Sequence, residues 1–306
     1  MADLFAYGDK DRHIITYSIL ILVAILTLLF IKTFDVMELL NSEIVETSSP
    51  LIPDILLAIF RTGAAILALY TIFFLMILNK DGGFMHPLFH EERVCKPHNT
   101  KGIERMVPFS SWTLILFALY FISSSILGWL DIFNLGSVKI INFWSGIFLP
   151  MSLGMAMLTA TVVTYVIVPE EVKLKRSFNH LFETHEMVMH NWTAILLALD
   201  VFLSRPNLDW ELAIFGLSAG IIYSIFAYLY AIYGGGFYVY SFIDPRIKYA
   251  PIIMTVLALA LSLFYVFNWI ITLIIEYNQF LGGLIYVIWI YSIVLFKKPS
   301  FDDYSS

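Results

Sequence analysis

Eight stretches of this 306-residue chain are apolar for long enough to cross a bilayer, at residues 14–30, 55–78, 109–130, 140–168, 185–203, 212–233, 252–275 and 280–296. A spanning helix takes roughly 17–25 such residues. With 59% hydrophobic and 14% charged residues, 26 of them Phe, the chain carries far less charge than the roughly 25% of a soluble domain. That much apolar surface cannot be hidden in one soluble core, so the excess faces lipid. Secreted, disordered and plain cytosolic classes are excluded. A net charge of −6 without a basic stripe argues against nucleic acid as a partner. Cys95 is the single cysteine, which rules out an intrachain disulfide.

Start and stop chemistry agrees with the eight runs. Pro53, Pro108 and Pro251 stand at helix starts, where the missing N–H is harmless. Pro169 is expected to close the fourth run, and Pro150 inside it predicts a kink. The eighth run is the shortest. Lys and Arg supply an independent test. Fourteen of the 18 fall at the N-terminus, in the 2–3, 4–5 and 6–7 loops and at the C-terminus; Lys32, Lys139 and Arg205 fall on the other side, and Arg61 lies within a run. This asymmetry follows the positive-inside rule for both termini on the cytoplasmic or matrix side. The expected fold is therefore all-α, a polytopic transmembrane helix bundle of about eight spans. It forms a single integral membrane domain, residues 1–306, with a long polar loop at 79–108. The first 12 residues lack the basic leader of a secretory signal and the Arg-rich helix of a presequence, so the first span is expected to be a retained anchor.

Ionisable residues inside spans are costly and usually paired or functional. They are Asp54, Arg61, His185, Glu186, His190 and Asp200. His185 and His190 are five apart, about 140° around a helix, so they do not form the zinc-protease pair, which needs spacing four on one face. Glu186 and His190 do share a face at i,i+4. A carboxylate beside an imidazole orients it and raises its basicity, as a general base requires; packing against a neighbouring helix is the alternative. Span three starts from the same side, and there Ser110 and Ser111 reach a depth comparable to His190. A Ser–His pair at the headgroup boundary is placed to attack a lipid ester, although Ser before a span also serves as an N-cap. Arg61 and Asp200 approach the sparse-charge side from spans two and five. Because Asp54 is an axial 10 Å or so from Arg61 on the same helix, the expected buried ion pair is Arg61–Asp200, with spans two and five adjacent. The sequon at Asn191 lies within a span and should be silent.

In the 79–108 loop, His86, His90, Cys95 and His98 place four ligand-type residues within 13 positions. The spacing matches no standard zinc finger, and an ordinary polar loop explains it as well. No cofactor is implied elsewhere.

Three segments resemble the androgen-induced multi-pass membrane protein family, with its rolling stone and plant relatives. Phe109-Ser110-Ser111-Trp112-Thr113, continuing to Tyr120-Phe121-Ile122-Ser123, is similar to the family's span at that position. Met189-His190-Asn191 with Asp200 near the helix end resembles its Met-His helix. Tyr233-Gly234-Gly235-Gly236 through Tyr238-Val239-Tyr240-Ser241-Phe242-Ile243-Asp244, then Tyr249-Ala250-Pro251, resembles its "YPFLD…YAP" turn. The likeness covers residues 109–275. Animal members hydrolyse fatty acid esters of hydroxy fatty acids with an intramembrane Thr and a His. The resemblance implies His190 for the His, and Ser111 or Ser110 for the Thr, depending on whether Phe109 or Trp112 is matched. Ser241 stands where the family turn has Pro. A lipid-ester hydrolase is thus expected, with Glu186 orienting His190, membrane lipids as surroundings and a lipid ester as substrate. The competing expectation is a non-catalytic accessory subunit of a larger membrane assembly, such as a respiratory-chain complex, with other membrane subunits as partners. A transporter fits less well, because no inverted repeat or paired broken helices appear. The endoplasmic reticulum or another endomembrane suits the first expectation, the mitochondrial inner membrane the second.

Overall fold

The computed structural model describes residues 6–41 and 45–298. Among the described residues, seven helices are long and apolar enough to cross a membrane: α1 (His13–Thr33), α2 (Asp54–Ile77), α3 (Phe109–Ile132), α4 (Lys139–Lys173), α5 (Thr184–Ser204), α6 (Trp210–Tyr233) and α7 (Ala250–Tyr277). A shorter apolar helix, α8 (Gln279–Ile293), follows after one residue. The protein is an all-α polytopic bundle, and a multi-pass membrane protein. Pro53 and Pro108 occupy the N-caps of α2 and α3, and Pro251 the first turn of α7, where a missing donor breaks no hydrogen bond.

Helices α3, α4 and α5 are the most buried; α2 packs on α3, α6 and α7 pack on α4, and α1 lies outermost against α6 and α7. Close approach at the α4–α6–α7 crossing depends on missing side chains. A Cβ on Gly154 would stand 2.7 Å from the Leu261 carbonyl oxygen, and one on Gly216 3.1 Å from the same atom. Small residues of this kind let membrane helices touch backbone to backbone.

Two expectations are corrected. Pro169 does not end the fourth span: helix continues to Lys173, because a π-helical turn at Val163–Ile167 absorbs the irregularity and resets the chain so that Pro169 begins a new α-helical turn. The eighth helix stops at Ile293 rather than near 296. Asn191 explains the stop. Its side-chain amide gives one hydrogen bond to the Leu295 carbonyl at 2.9 Å and receives one from the Leu295 N–H at 3.1 Å, so both backbone groups of Leu295 are satisfied outside the helix. Thr164 Oγ1 donates to the Ile293 carbonyl. Fifteen residues span only about 22 Å, less than the roughly 30 Å hydrocarbon core; non-helical backbone at that depth is tolerable because protein groups satisfy it.

The 79–108 loop folds into a small cap. β1 (Gly83–Met85) pairs antiparallel with β4 (His98–Thr100), while β2 (Leu88–Phe89) pairs with β3 (Val94–Cys95) and with β5 (Phe237–Tyr238) from the α6–α7 connection. Gly82, at φ +76, makes the turn into β1 where a Cβ would lie 2.6 Å from the Thr100 carbonyl. The N-terminal segment is fastened to the same end: Tyr7 bridges Ile247 and donates to Asp244, and Asp11 pairs with Arg93. Lys298 hydrogen-bonds Asn179 in the α4–α5 connection, so the described beginning and end of the chain lie at one end of the bundle.

Candidate functional site

Three spans carry π-helical turns: Thr71–Ile77 in α2, Val163–Ile167 in α4 and Val188–Trp192 in α5. All three lie at the basic-side ends of their helices and give residues to one polar cavity of about 140 Å³, with Met76, Ile167, Met189 and His190 on its wall. Single π turns inside α-helices frequently occur at functional sites. The start of α3 contributes Ser110 and Ser111, and the cap and the α6–α7 connection close the outside with His86, Tyr240 and Phe242.

Of the expected site residues, Glu186, His190, Ser110 and Ser111 all line this cavity. Nε2 of His190 stands 3.2 Å from Glu186 Oε2, and a carboxylate at that distance draws the ring proton to Nε2. Nδ1 is left as the lone-pair nitrogen; it is buried and has no hydrogen-bond partner. The two serines are not equivalent. Ser111 Oγ donates to the Arg105 carbonyl at 2.7 Å and touches the Met189 sulfur, so its hydroxyl is engaged. Ser110, also buried, lies beside the Tyr240 phenol, which interacts with the Ser110 hydroxyl and with the backbone of Ser110 and Phe109 at the first turn of α3. Burial pushes the Tyr240 phenol up to about 12, so it is a protonated donor at neutral pH. No hydrogen bond joins either serine to His190 among the described residues.

Arg105 was not anticipated from the sequence. It is buried, and its Nη1 donates to the Leu75 and Met76 carbonyls at 2.8 and 3.2 Å, which satisfies the unpaired end of α2 as a cation there should. Its Nη2 meets His185 Nε2 at 2.5 Å. Arg carries only donors, so His185 accepts and keeps its proton on Nδ1, toward Glu183 at 3.6 Å. The 3.3 Å approach of His185 Nε2 to Glu186 Oε1 is then no hydrogen bond. His185 thus belongs to the support of the site, and Glu186 serves His190.

The four candidates of the loop part company. His98 contacts Glu104 Oε1 at 3.0 Å, His90 packs edge-on against Tyr238, and His86 turns into the cavity toward Glu171. No three His, Cys, Asp or Glu among the described residues are arranged to hold a metal ion. At the opposite end of the bundle, Arg61 Nε donates to Asp200 Oδ1 at 2.7 Å and Nη2 to Oδ2 at 3.2 Å. Asp54 instead receives the Ser49 N–H.

Fold and site together define a membrane-embedded helix bundle with a polar, histidine-lined chamber under a cap at its basic end. Compared with protein-family models, curated proteins and solved structures, the chain matches none.

Proposed function

We propose that the protein is an intramembrane acyl-ester hydrolase in which Ser110 is the nucleophile and His190 the general base. The observation that carries this is the free Nδ1 of His190, buried in the same cavity as Ser110 while Glu186 holds the opposite ring nitrogen. Nδ1 takes the proton of Ser110 as Oγ adds to the ester carbonyl. The oxyanion that forms meets the protonated Tyr240 phenol beside Ser110, the kind of prearranged donor that matters most in acyl-transfer catalysis. The imidazolium returns its proton to the departing alcohol, and water, deprotonated by the same nitrogen, releases the acid from the acyl-serine. Nucleophile–base contacts in ligand-free enzymes are commonly looser than in the substrate complex, which accommodates the unformed Ser110–His190 bond. The resemblance to the androgen-induced family supports the same assignment of His190 and is compatible with Ser110 or Ser111; the engaged hydroxyl of Ser111 favours Ser110.

The test is hydrolysis of long-chain esters by purified protein in lipid nanodiscs. Activity should fall at least 100-fold in Ser110→Ala and in His190→Ala. Full activity in either variant contradicts the proposal, as does purification only in a stoichiometric complex whose hydrolysis is indifferent to both substitutions.

A further inference from the structure

Beside the polar chamber lies a second cavity, of about 90 Å³, between α1, α4, α6 and α7. Its wall is almost wholly apolar, with Val23, Leu158, Ile221, Ala258 and Leu261 among its residues. The two cavities have three wall residues in common, Ile167, Tyr240 and Phe242, and Phe109, next to Ser110, lines the apolar one. The two cavities thus adjoin at Tyr240, beside Ser110.

Other wall residues of the polar chamber have a different character. His86 Nδ1, His180 Nδ1 and Glu171 Oε2 all line it, all are buried, and none has a hydrogen-bond partner. His86 Nδ1 and Glu171 Oε2 face each other at 3.7 Å, beyond hydrogen-bond reach. Arg176 reaches the other Glu171 oxygen at 3.3 Å. Burial holds both imidazoles below the ordinary histidine range, so each is neutral, with one donor and one acceptor nitrogen. Buried polar groups are costly unless bonded. A hydrocarbon arm placed here would strand all three; hydroxyl groups would satisfy them.

Resting on the hydrolase assignment above, we infer that the substrate is a single-chain acyl ester of a polyol, with the acyl chain in the groove between α4, α6 and α7 and the polyol against His86, His180 and Glu171. An ester whose alcohol is itself a long hydrocarbon, such as a hydroxy fatty acid, fits the chamber less well.

Two measurements test this on the full chain in nanodiscs. The first is binding: a non-hydrolysable ether analogue of a monoacylglycerol, with a photoactivatable diazirine in the chain, should crosslink to Leu158, Ala258 or their neighbours, and free monoacylglycerol should compete. Crosslinks confined to outward residues of α7 such as Leu263 and Phe267, which are exposed, overturn the inference. The second is selectivity. Monoacylglycerol should be cleaved at least 10-fold faster, as kcat/KM, than the hydroxy fatty acid ester of the same acyl chain, and His180→Ala should erase most of that preference, since a site built to bond hydroxyls discriminates through them. Ala258→Phe, with Leu158→Phe as the second choice, should shift the optimum to shorter chains. Equal rates on both esters overturn the inference. Groove crosslinking without hydrolysis of any ester would refute the hydrolase assignment and leave the lipid site standing.

Discussion

Arg61 and Asp200, 139 positions apart, face each other with no solvent exposure, and two guanidinium nitrogens meet two carboxylate oxygens. The pair has further partners: Arg61 Nη1 donates to the Glu46 carbonyl at 2.7 Å, and the Tyr120 hydroxyl donates to Asp200. The pair fixes α2 against α5 and, through Tyr120, both against α3. Breaking such a pair strands a buried charge and costs about 3–5 kcal/mol, whereas replacing both partners is far milder. Arg61→Leu is therefore expected to lower the detergent melting temperature sharply, and Arg61→Leu with Asp200→Leu to recover part of the loss. Recovery is partial because Glu46 and Tyr120 keep their orphaned groups. A double variant no better than the single one contradicts the pairing energetics.

Ser110 and Ser111 should separate by experiment as they do by geometry. Ser111→Ala removes a bond to the Arg105 carbonyl, so about 1 kcal/mol of stability should go with hydrolysis reduced less than 10-fold. Ser110→Ala should do the reverse, near-normal melting with activity lost. The matched pair of melting curves and rates is the check.

Acid should loosen the cap. Burial lowers the pKa of His86, His90 and His180 in the folded protein, while unfolded histidine titrates near about 6.5. The unfolded chain then binds more protons as pH falls, so stability is whole above about pH 7 and declines below about 6.5 until the depressed folded values are reached. Melting temperature measured from pH 8 to 5 should show this decline, and His86→Gln with His180→Gln should flatten it. A flat wild-type profile contradicts the neutral, buried assignment.

Two glycines in different helices should respond oppositely to alanine. Gly154→Ala drives a methyl into the Leu261 carbonyl and should cost about 1–3 kcal/mol as α4 and α7 are forced apart. Gly63, in α2, has nothing within 4 Å of its built Cβ, and Gly63→Ala should gain up to about 1 kcal/mol from helix propensity alone. Melting curves of the two variants decide it.

Hydropathy and the Lys/Arg asymmetry were enough to read the helices, since lipid imposes length and composition on each span separately. The spacing of Glu186 and His190 read as a shared face, and the structure puts their side chains 3.2 Å apart, even though a π turn intervenes. What stayed hidden depends on contacts between distant segments. Nothing near Asn191 shows that it captures Leu295 and ends α8 early. Arg105 read as one more basic loop residue, although it stands just before Pro108 at a helix start, and its burial depends on α2 ending beside it. His86 and His180 are 94 positions apart, and only the cap brings their rings within 6.5 Å. The choice between Ser110 and Ser111 likewise needed Tyr240, delivered from the α6–α7 connection.

The proposed function stands or falls with Ser110 as a nucleophile activated inside the membrane. Its most direct test is the site of covalent modification by a long-chain fluorophosphonate, mapped by peptide mass spectrometry on protein in nanodiscs. One adduct per chain is expected on Ser110, lost in Ser110→Ala, retained in Ser111→Ala and slowed at least 100-fold in His190→Ala. An unlabelled wild type, or an adduct on Ser111 with Ser110 free, would contradict it.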